Sequence, residues 1–232
     1  MLRAPEKRSN HASARRRASR SEAHPHESIG SMSTDKRHVL AAVPAGGGLA
    51  LDLGGGAGEL SSALGGLGYQ YVNLDPAARG AGAVAGDAQG TPFRTGAFSL
   101  VVSSDSLEHI ADPRAALREV RRLLAPEGSF IVWVPFLHPF HGDDYYRYTP
   151  LGLRYLLEGE GFRVDRLEAP LWISTVIATA LLSWSRRGGS NRPGRGVERA
   201  ASWLDARLSR FKGPNMSYAA AYLVVARPTA GG

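Results

Sequence analysis

LALDLGGGAGEL, residues 49–60, is the stretch that decides the architecture. Leu49 to Leu53 reads as a buried strand, Gly54, Gly55, Gly56 and Gly58 as a tight turn, and Glu59 as the start of a helix reaching about Leu67. Side chains on those glycines would hold a ligand away from the backbone. Without them, free N–H groups and the helix N-terminus offer a seat for an anionic or polar group. The same strand–turn–helix serves NAD, FAD and S-adenosylmethionine (SAM) sites, so the segments around it must choose between them.

Upstream, Thr34 to Val43 suits a short helix. Downstream, Tyr69–Leu74 reads as a second strand with Asp75 at its carboxyl end, and Ala83–Ala85 as a short third ending at Gly86–Asp87. Ala97–Ser103 is a fourth, a continuous apolar run of the kind a sheet covered on both faces requires. Asp112–Pro113 pairs an N-cap with a proline at the first helical position, opening a helix to Leu124 with Leu117, Val120, Leu123 and Leu124 inward. A turn at Glu127–Gly128 leads into a fifth strand, Ser129–Val134. Thr149–Pro150 opens another helix, which ends at Gly159–Gly161; Phe162–Leu167 and Tyr218–Ala226 are the last two strands. The alternation implies an α/β fold, a Rossmann-like, doubly wound, mostly parallel seven-stranded sheet with helices on both faces.

The 232 residues are 43% hydrophobic and 21% charged, which suits one globular domain. Residues 1–31, rich in Arg, Ser, Ala and His, cannot bury enough surface to offset their ordering entropy and read as a disordered basic tail; the domain is 32–232. There is no cysteine. Disulfides, Cys-based zinc sites and thiol nucleophiles are excluded, and with them C5-methylation of cytosine through a cysteine adduct. The net charge of +7 is uneven: residues 38–185 carry ten Lys/Arg against fifteen Asp/Glu, while 186–212 carry eight against two. An acidic core with a basic tail and a basic late segment weakens the nucleic-acid reading that the average charge suggests. The longest apolar stretch, Leu171 to Trp184, has 14 residues, short of the roughly 20 needed to span a bilayer. No secretory signal is seen at the N-terminus, and Glu6, Glu22 and Glu27 argue against a transit peptide.

The glycine turn, Asp75, Asp87 and SSDSLEH (residues 103–109) all fall at carboxyl ends of successive strands, where open α/β sheets bind ligands. In order and spacing, LDLGGGAGEL, NLDP, GDAQGTPFRTGAFSLVVSSDSLEHI and DPRAALREVRRLLAPEGSFIVWVPF resemble the class I SAM-dependent methyltransferases, particularly the methyltransferase type 11 domain group, over about residues 48–168. The resemblance implies SAM as cofactor and an antiparallel last strand. It implies that Gly54, Gly56 and Gly58 border the methionine moiety, with Asp52 supporting the turn. Gly55 belongs to the same turn; the family often has cysteine or another small residue there, and glycine should be harmless because the backbone defines the position. By the same likeness Asp75 holds the ribose, Pro76 packs near the adenine, Asp87 with the Ala88 backbone reads the adenine edge, and Ser103 and Ser104 lie near the methionine amino group. The connection from Asp75 to Asp87 leaves little room for the family's intervening helix. The plain alternative makes Asp75 and Asp87 ordinary loop carboxylates.

On the acceptor side, His109, His138, His141, Asp143 and Tyr146 are candidates for a base. His109 should face the cofactor cleft, or else support its loop. HPFHGDDYYRYTP, residues 138–150, reads as a lid over the site, with Tyr146 and Arg147 as acceptor-binding groups and Arg147 suited to a carboxylate, phosphate or sugar. Alternatively Tyr145, Tyr146 and Tyr148 only pack the lid down. His138, His141, Asp143 and Asp144 could be written as metal ligands, but no metal is expected. The catalytic set is therefore His109, His141, Tyr146 and Arg147. A helical insertion at about 170–212 joins an apolar helix, 171–184, to a second, 197–211, with Val197, Ala201, Leu204, Leu208 and Phe211 on one face. It either covers the sheet and acceptor pocket or touches an anionic membrane surface.

The expected function is methyl transfer from SAM to a small-molecule or lipid/glycan-precursor acceptor, in a cytoplasmic protein with a peripheral membrane contact as the variant reading. The competing readings are an RNA or DNA methyltransferase, against which the Asx/Ser-Pro-Pro-aromatic signature of base-amino methylation is absent, and a non-catalytic SAM-binding interaction domain.

Overall fold

A computed structural model describes residues 33–80, 82–138, 140, 142–172, 174–178, 200–201, 203–207 and 216–229. The tail at 1–31, His141 and most of the 170–212 insertion lie outside the described residues.

The elements run α1 (Thr34–Ala42), β1 (Leu49–Leu53), α2 (Ser61–Gly66), β2 (Gln70–Asp75), β3 (Ala83–Ala85), β4 (Phe98–Ser104), a 3-10 turn at Leu107–His109, α3 (Pro113–Leu123), β5 (Leu124–Pro135), α4 (Pro150–Gly159), β6 (Phe162–Leu171), a 3-10 turn at Met216–Tyr218 and β7 (Ala221–Pro228). The strands form one sheet in the order β3-β2-β1-β4-β5-β7-β6. β1 pairs in parallel with β2 and β4, β2 with β3, and β4 with β5; β7 runs antiparallel to both β5 and β6. The doubly wound sheet with an antiparallel last strand is the expected one.

Alternation along the strands builds two cores. On one face Leu51, Val101, Phe130, Val132, Tyr222 and Val224 meet Leu117 and Val120 of α3 and Leu153 and Leu157 of α4. On the other, Ala50, Leu100, Val102, Ile131, Trp133 and Leu223 meet Val39 of α1 and Leu64 of α2. A strand facing helices on both sides has no wet face, which is why β4 and β5 read as unbroken apolar runs.

Local chemistry starts the helices where the sequence places them. Asp112 caps α3 by accepting from Ala115 N (3.0 Å) and Thr149 caps α4 by accepting from Gly152 N (3.1 Å), each followed by proline. α2 is shorter than expected and begins at Ser61, because residues 55–60 are spent in turns. β6 extends to Leu171, so the segment assigned to an apolar helix starts as strand, and residues 174–178 are its described helical part. The second insertion helix, described at 200–201 and 203–207, buries Ala201 as assigned but turns Asp205 inward and leaves Leu204, assigned to the same face, exposed. The cause is polar: Asp205 accepts from Trp172 N (2.8 Å), Thr175 N (3.3 Å) and Thr175 Oγ1 (2.6 Å), and also from Ser174 Oγ. It therefore caps the neighbouring helix from outside that helix.

Candidate cofactor and acceptor site

The glycine turn leaves β1 beside the carboxyl ends of β2 and β4. Gly54 N donates to the Leu74 carbonyl (2.7 Å), Gly56 N to Asp75 Oδ2 (3.1 Å), and Asn73 Nδ2 to the Gly56 carbonyl (2.9 Å). A Cβ at Gly55 would stand 2.5 Å from oxygens of Asp52 and Asn73. Glycine there is thus more than harmless; the side chains beneath the turn require it. Gly56 is the opposite case. Its φ is 51°, and an added Cβ would meet nothing within 4 Å. That part of the turn faces open space.

Asp52 supports the turn from inside, 2% exposed and accepting from Tyr71 Oη (2.8 Å). Burial pushes its carboxyl up to about 6, against the pull of the Tyr71 hydroxyl and Lys36. Asp75 stands at the mouth, its Oδ1 accepting from Ala77 N (2.8 Å). Two backbone donors orient this carboxylate and leave lone pairs for ligand hydroxyls. Pro76 is exposed beside it, and a turn without a helix joins Asp75 to Ala83 among the described residues. Asp87 is exposed and accepts from Gln89 N (2.9 Å) and Gln89 Nε2 (3.1 Å), with Ala88 half-buried next to it.

Ser103 differs in character from the other cofactor candidates. Its hydroxyl is buried 2.6 Å from Ser106 Oγ, which donates to the Leu53 carbonyl (2.7 Å). The Ser103 side chain therefore ties β4 to β1, whereas Ser104 is partly exposed and donates to Asp105 (3.4 Å). Asp105, not singled out from the sequence, follows directly. It has φ 52°, the one non-glycine residue with positive φ among the described residues. Such backbone costs of order 1 kcal/mol and persists where its surroundings impose it, often at functional sites. Burial, helped by Asp35, raises its carboxyl to about 7, against Lys36, Ser104 and Arg147. The available signal was an Asp in a strand-ending SSDS, since Asp tolerates left-handed backbone.

The lid is fastened to the 3-10 turn after β4. The Glu108 carbonyl accepts from Tyr145 N (2.9 Å) and Tyr146 N (3.3 Å), Tyr146 Oη donates to the Ala111 carbonyl (2.8 Å), and Tyr148 Oη to the Leu107 carbonyl (3.3 Å). These phenols hold the lid down. His109 turns toward the lid: its Nδ1 lies 3.2 Å from the Asp143 carbonyl and 3.4 Å from Asp144 Oδ1. Arg147 donates to Asp144 Oδ2 (2.6 Å), and its guanidinium sits 5.0 Å from the Phe140 ring centre. Glu108 is fully buried, and burial with Asp105 and Asp144 nearby raises it to about 8. Glu108, His109 and Asp144 bring ligand-type atoms within 4.8 Å of one another, a different grouping from the His138–Asp144 set weighed from the sequence. Arg147 already supplies positive charge there.

A family model described as a methyltransferase domain matches residues 26–170. The chain belongs to the methyltransferase-domain family. An uncharacterized methyltransferase of Mycobacterium sp. (strain JLS) is 35% identical to this methyltransferase domain over 128 residues, 49% of the chain and 47% of the relative. A demethylmenaquinone methyltransferase of Renibacterium salmoninarum is 36% identical over 73 residues, covering 32% and 30%. The chain spans about half the length, or less, of the curated relatives it matches. Among solved structures, an S-adenosylmethionine dependent methyltransferase from Mesorhizobium loti superposes with a TM-score of 0.56 at 18% identity, covering 84% of this chain and 98% of that one. That likeness speaks for the fold of the methyltransferase domain.

Proposed function

We propose that this methyltransferase domain transfers a methyl group from SAM to a small-molecule or lipid/glycan-precursor acceptor. The observation that carries the reading is the open space over Gly56, with the Asp75 carboxylate oriented beside it by Gly56 N and Ala77 N. These residues fit a nucleoside bearing an amino-acid tail: Asp75 for ribose hydroxyls, Asp87 for an exocyclic amine, and the glycine turn for close approach of the tail, its Gly54, Gly56 and Gly58 N–H groups being spent within the fold. When bound, SAM supplies an electrophilic methyl on a good leaving group. The protein's task is then alignment and exclusion of water. In this reading the lid, tied to the Glu108 carbonyl and Ala111, covers the acceptor side. For an acceptor that carries a proton on its attacking atom, Asp105 serves as the base in this reading, on its positive-φ backbone at the end of β4 and with its carboxyl raised to about 7. Arg147 is held by Asp144, so it enters this reading as a field over the acceptor region more than as a free cation. The acidic balance of residues 38–185, ten Lys/Arg against fifteen Asp/Glu, favours a small molecule over RNA or DNA.

Calorimetry with S-adenosylhomocysteine (SAH) tests the cofactor half. The wild type should bind, and Asp75→Ala should bind about ten- to a hundredfold more weakly, the loss expected for a charge-assisted hydrogen bond of roughly 1.5–3 kcal/mol. Unchanged affinity in the variant would overturn the ribose assignment. Incubation with methyl-labelled SAM and cell extract, followed by identification of the labelled compound, tests the acceptor half; label in nucleic acid alone would reverse it.

A further inference from the structure

α1 has no part in the reading so far, yet its first turn stands beside the glycine turn. Val39 of α1 shares a core with Ala50 of β1, Val102 of β4 and Trp133 of β5, and the His38 ring stacks on that of Trp133 at 5.8 Å. The last residue of α1 leads through residues 43–48 into the amino end of β1. Its first turn lies at the other edge of the sheet, where Lys36 forms an ion pair with Glu59, the residue after Gly58. Ser33 caps the helix by accepting from Lys36 N (3.4 Å), which fixes that turn. The charge of Lys36 is felt at two carboxyls of the site, Asp52 beneath the glycine turn and Asp105 after β4, where it opposes the burial that raises both.

An amino-acid tail brings a carboxylate to this turn, and the backbone does not meet it. Gly54 N donates to the Leu74 carbonyl, Gly56 N to Asp75 Oδ2 and Gly58 N to the Gly55 carbonyl. A carboxylate drawn out of water needs a cation or donors in return. Arg147, the other cation felt at Asp105, is committed: it donates to Asp144 Oδ2 (2.6 Å), and the Asp144 side chain is 3% exposed. Lys36 is held differently. Its partner Glu59 is 51% exposed, so that carboxylate returns to solvent at little cost. An ammonium also carries three donors, and can hold two carboxylates or exchange one for another. Glu59 shows the kind of group this ammonium takes, a single carboxylate presented just past the glycine turn.

We propose that Lys36 is a cofactor-binding residue whose ammonium takes the carboxylate of the SAM tail in exchange with Glu59. This rests on the proposed use of SAM and adds to it a residue from outside the strand-end loops. The test is calorimetry of the full chain with SAH and with its decarboxylated analogue, which keeps the nucleoside, thioether and amine and lacks only the carboxylate. The wild type should prefer SAH by about ten- to a hundredfold, the size of a charge-assisted contact, and the preference should shrink as salt rises. Lys36→Met should bind the analogue as the wild type does but lose the advantage of SAH, leaving the two within about threefold of each other. Lys36→Arg should keep the preference. Glu59→Gln should bind SAH about two- to threefold more tightly, by removing the competing carboxylate, and this gain should vanish in combination with Lys36→Met. Equal weakening of both ligands in Lys36→Met would assign Lys36 to the packing of α1 and overturn the proposal. An undiminished preference for SAH in that variant would overturn it too, and would leave the use of SAM standing. A wild-type chain that binds neither ligand overturns the use of SAM, and this proposal with it.

Discussion

The glycine turn, proposed for the cofactor, and the lid, proposed for the acceptor, are built on different principles. At the glycine turn backbone donors do the positioning: Gly54 N holds the Leu74 carbonyl, Gly56 N and Ala77 N hold the Asp75 carboxylate, and Asp52 and Asn73 beneath brace the turn. On the acceptor side charged side chains from separate elements are packed together, with Asp105 and Glu108 after β4 facing Asp144 and Arg147 from the lid. A backbone site tolerates few residue types at fixed spacing. A side-chain site can be assembled from many sequences.

The sharpest test of that contrast compares two adjacent glycines. Gly55→Val should cost about 3 kcal/mol or more in stability, through forced overlap with Asp52 and Asn73. Gly56→Val should cost only about 1–2 kcal/mol, from left-handed backbone, yet abolish SAH binding by filling the cleft. Urea unfolding and calorimetry on both separate the effects, and equal destabilisation would break the distinction between bracing and ligand-facing positions.

On the acceptor side, Glu108→Gln should reverse part of the pH dependence of stability. The folded carboxyl titrates near 8 and its ordinary value is 4.5, so between those values the folded chain retains a proton that the unfolded chain has lost. The stabilisation is full below the lower value and is lost as pH rises through the upper one. At pH 8 the Gln variant should be more stable than the wild type by up to about 4 kcal/mol, with little difference at low pH. Thermal melts across this range check the sign; a variant less stable than wild type at pH 8 would contradict it.

Arg147→Ala should cost about 2 kcal/mol, because it leaves the Asp144 carboxylate, 3% exposed, without its guanidinium. SAH affinity should not change. Adding Asp144→Ala should recover much of the loss, and a double-mutant cycle with no coupling would deny that the pair fastens the lid. Smallest is Asp205→Ala, expected to cost about 1–2 kcal/mol by uncapping the helix at 174–178. Protease sensitivity confined to the insertion would report it, and an unaltered digestion pattern would count against the cap.

What could be read from the residues alone follows from range. The strand–glycine–helix stretch, the Asp–Pro and Thr–Pro helix starts and the apolar runs of β4 and β5 are local patterns with one sterically acceptable outcome, so the sheet and its seven strands were legible. Asp75 and Asp87 were legible as positions, since strand ends define them. The sequence could not tell that Ser103 spends its hydroxyl on Ser106, or that Gly55 lies over Asp52 and Asn73. It could not tell that Asp205 replaces Leu204 on the inner face of its helix, because the helix period does not reveal a polar partner 33 residues away at Trp172. Nor could it show Asp105 and Glu108 being raised together: a carboxyl's acidity depends on burial and on charges brought near by folding. Local steric rules determined the frame and the backbone seat for the ligand. Only tertiary packing decided which side chains beside the glycine turn stay open and which are consumed in holding it.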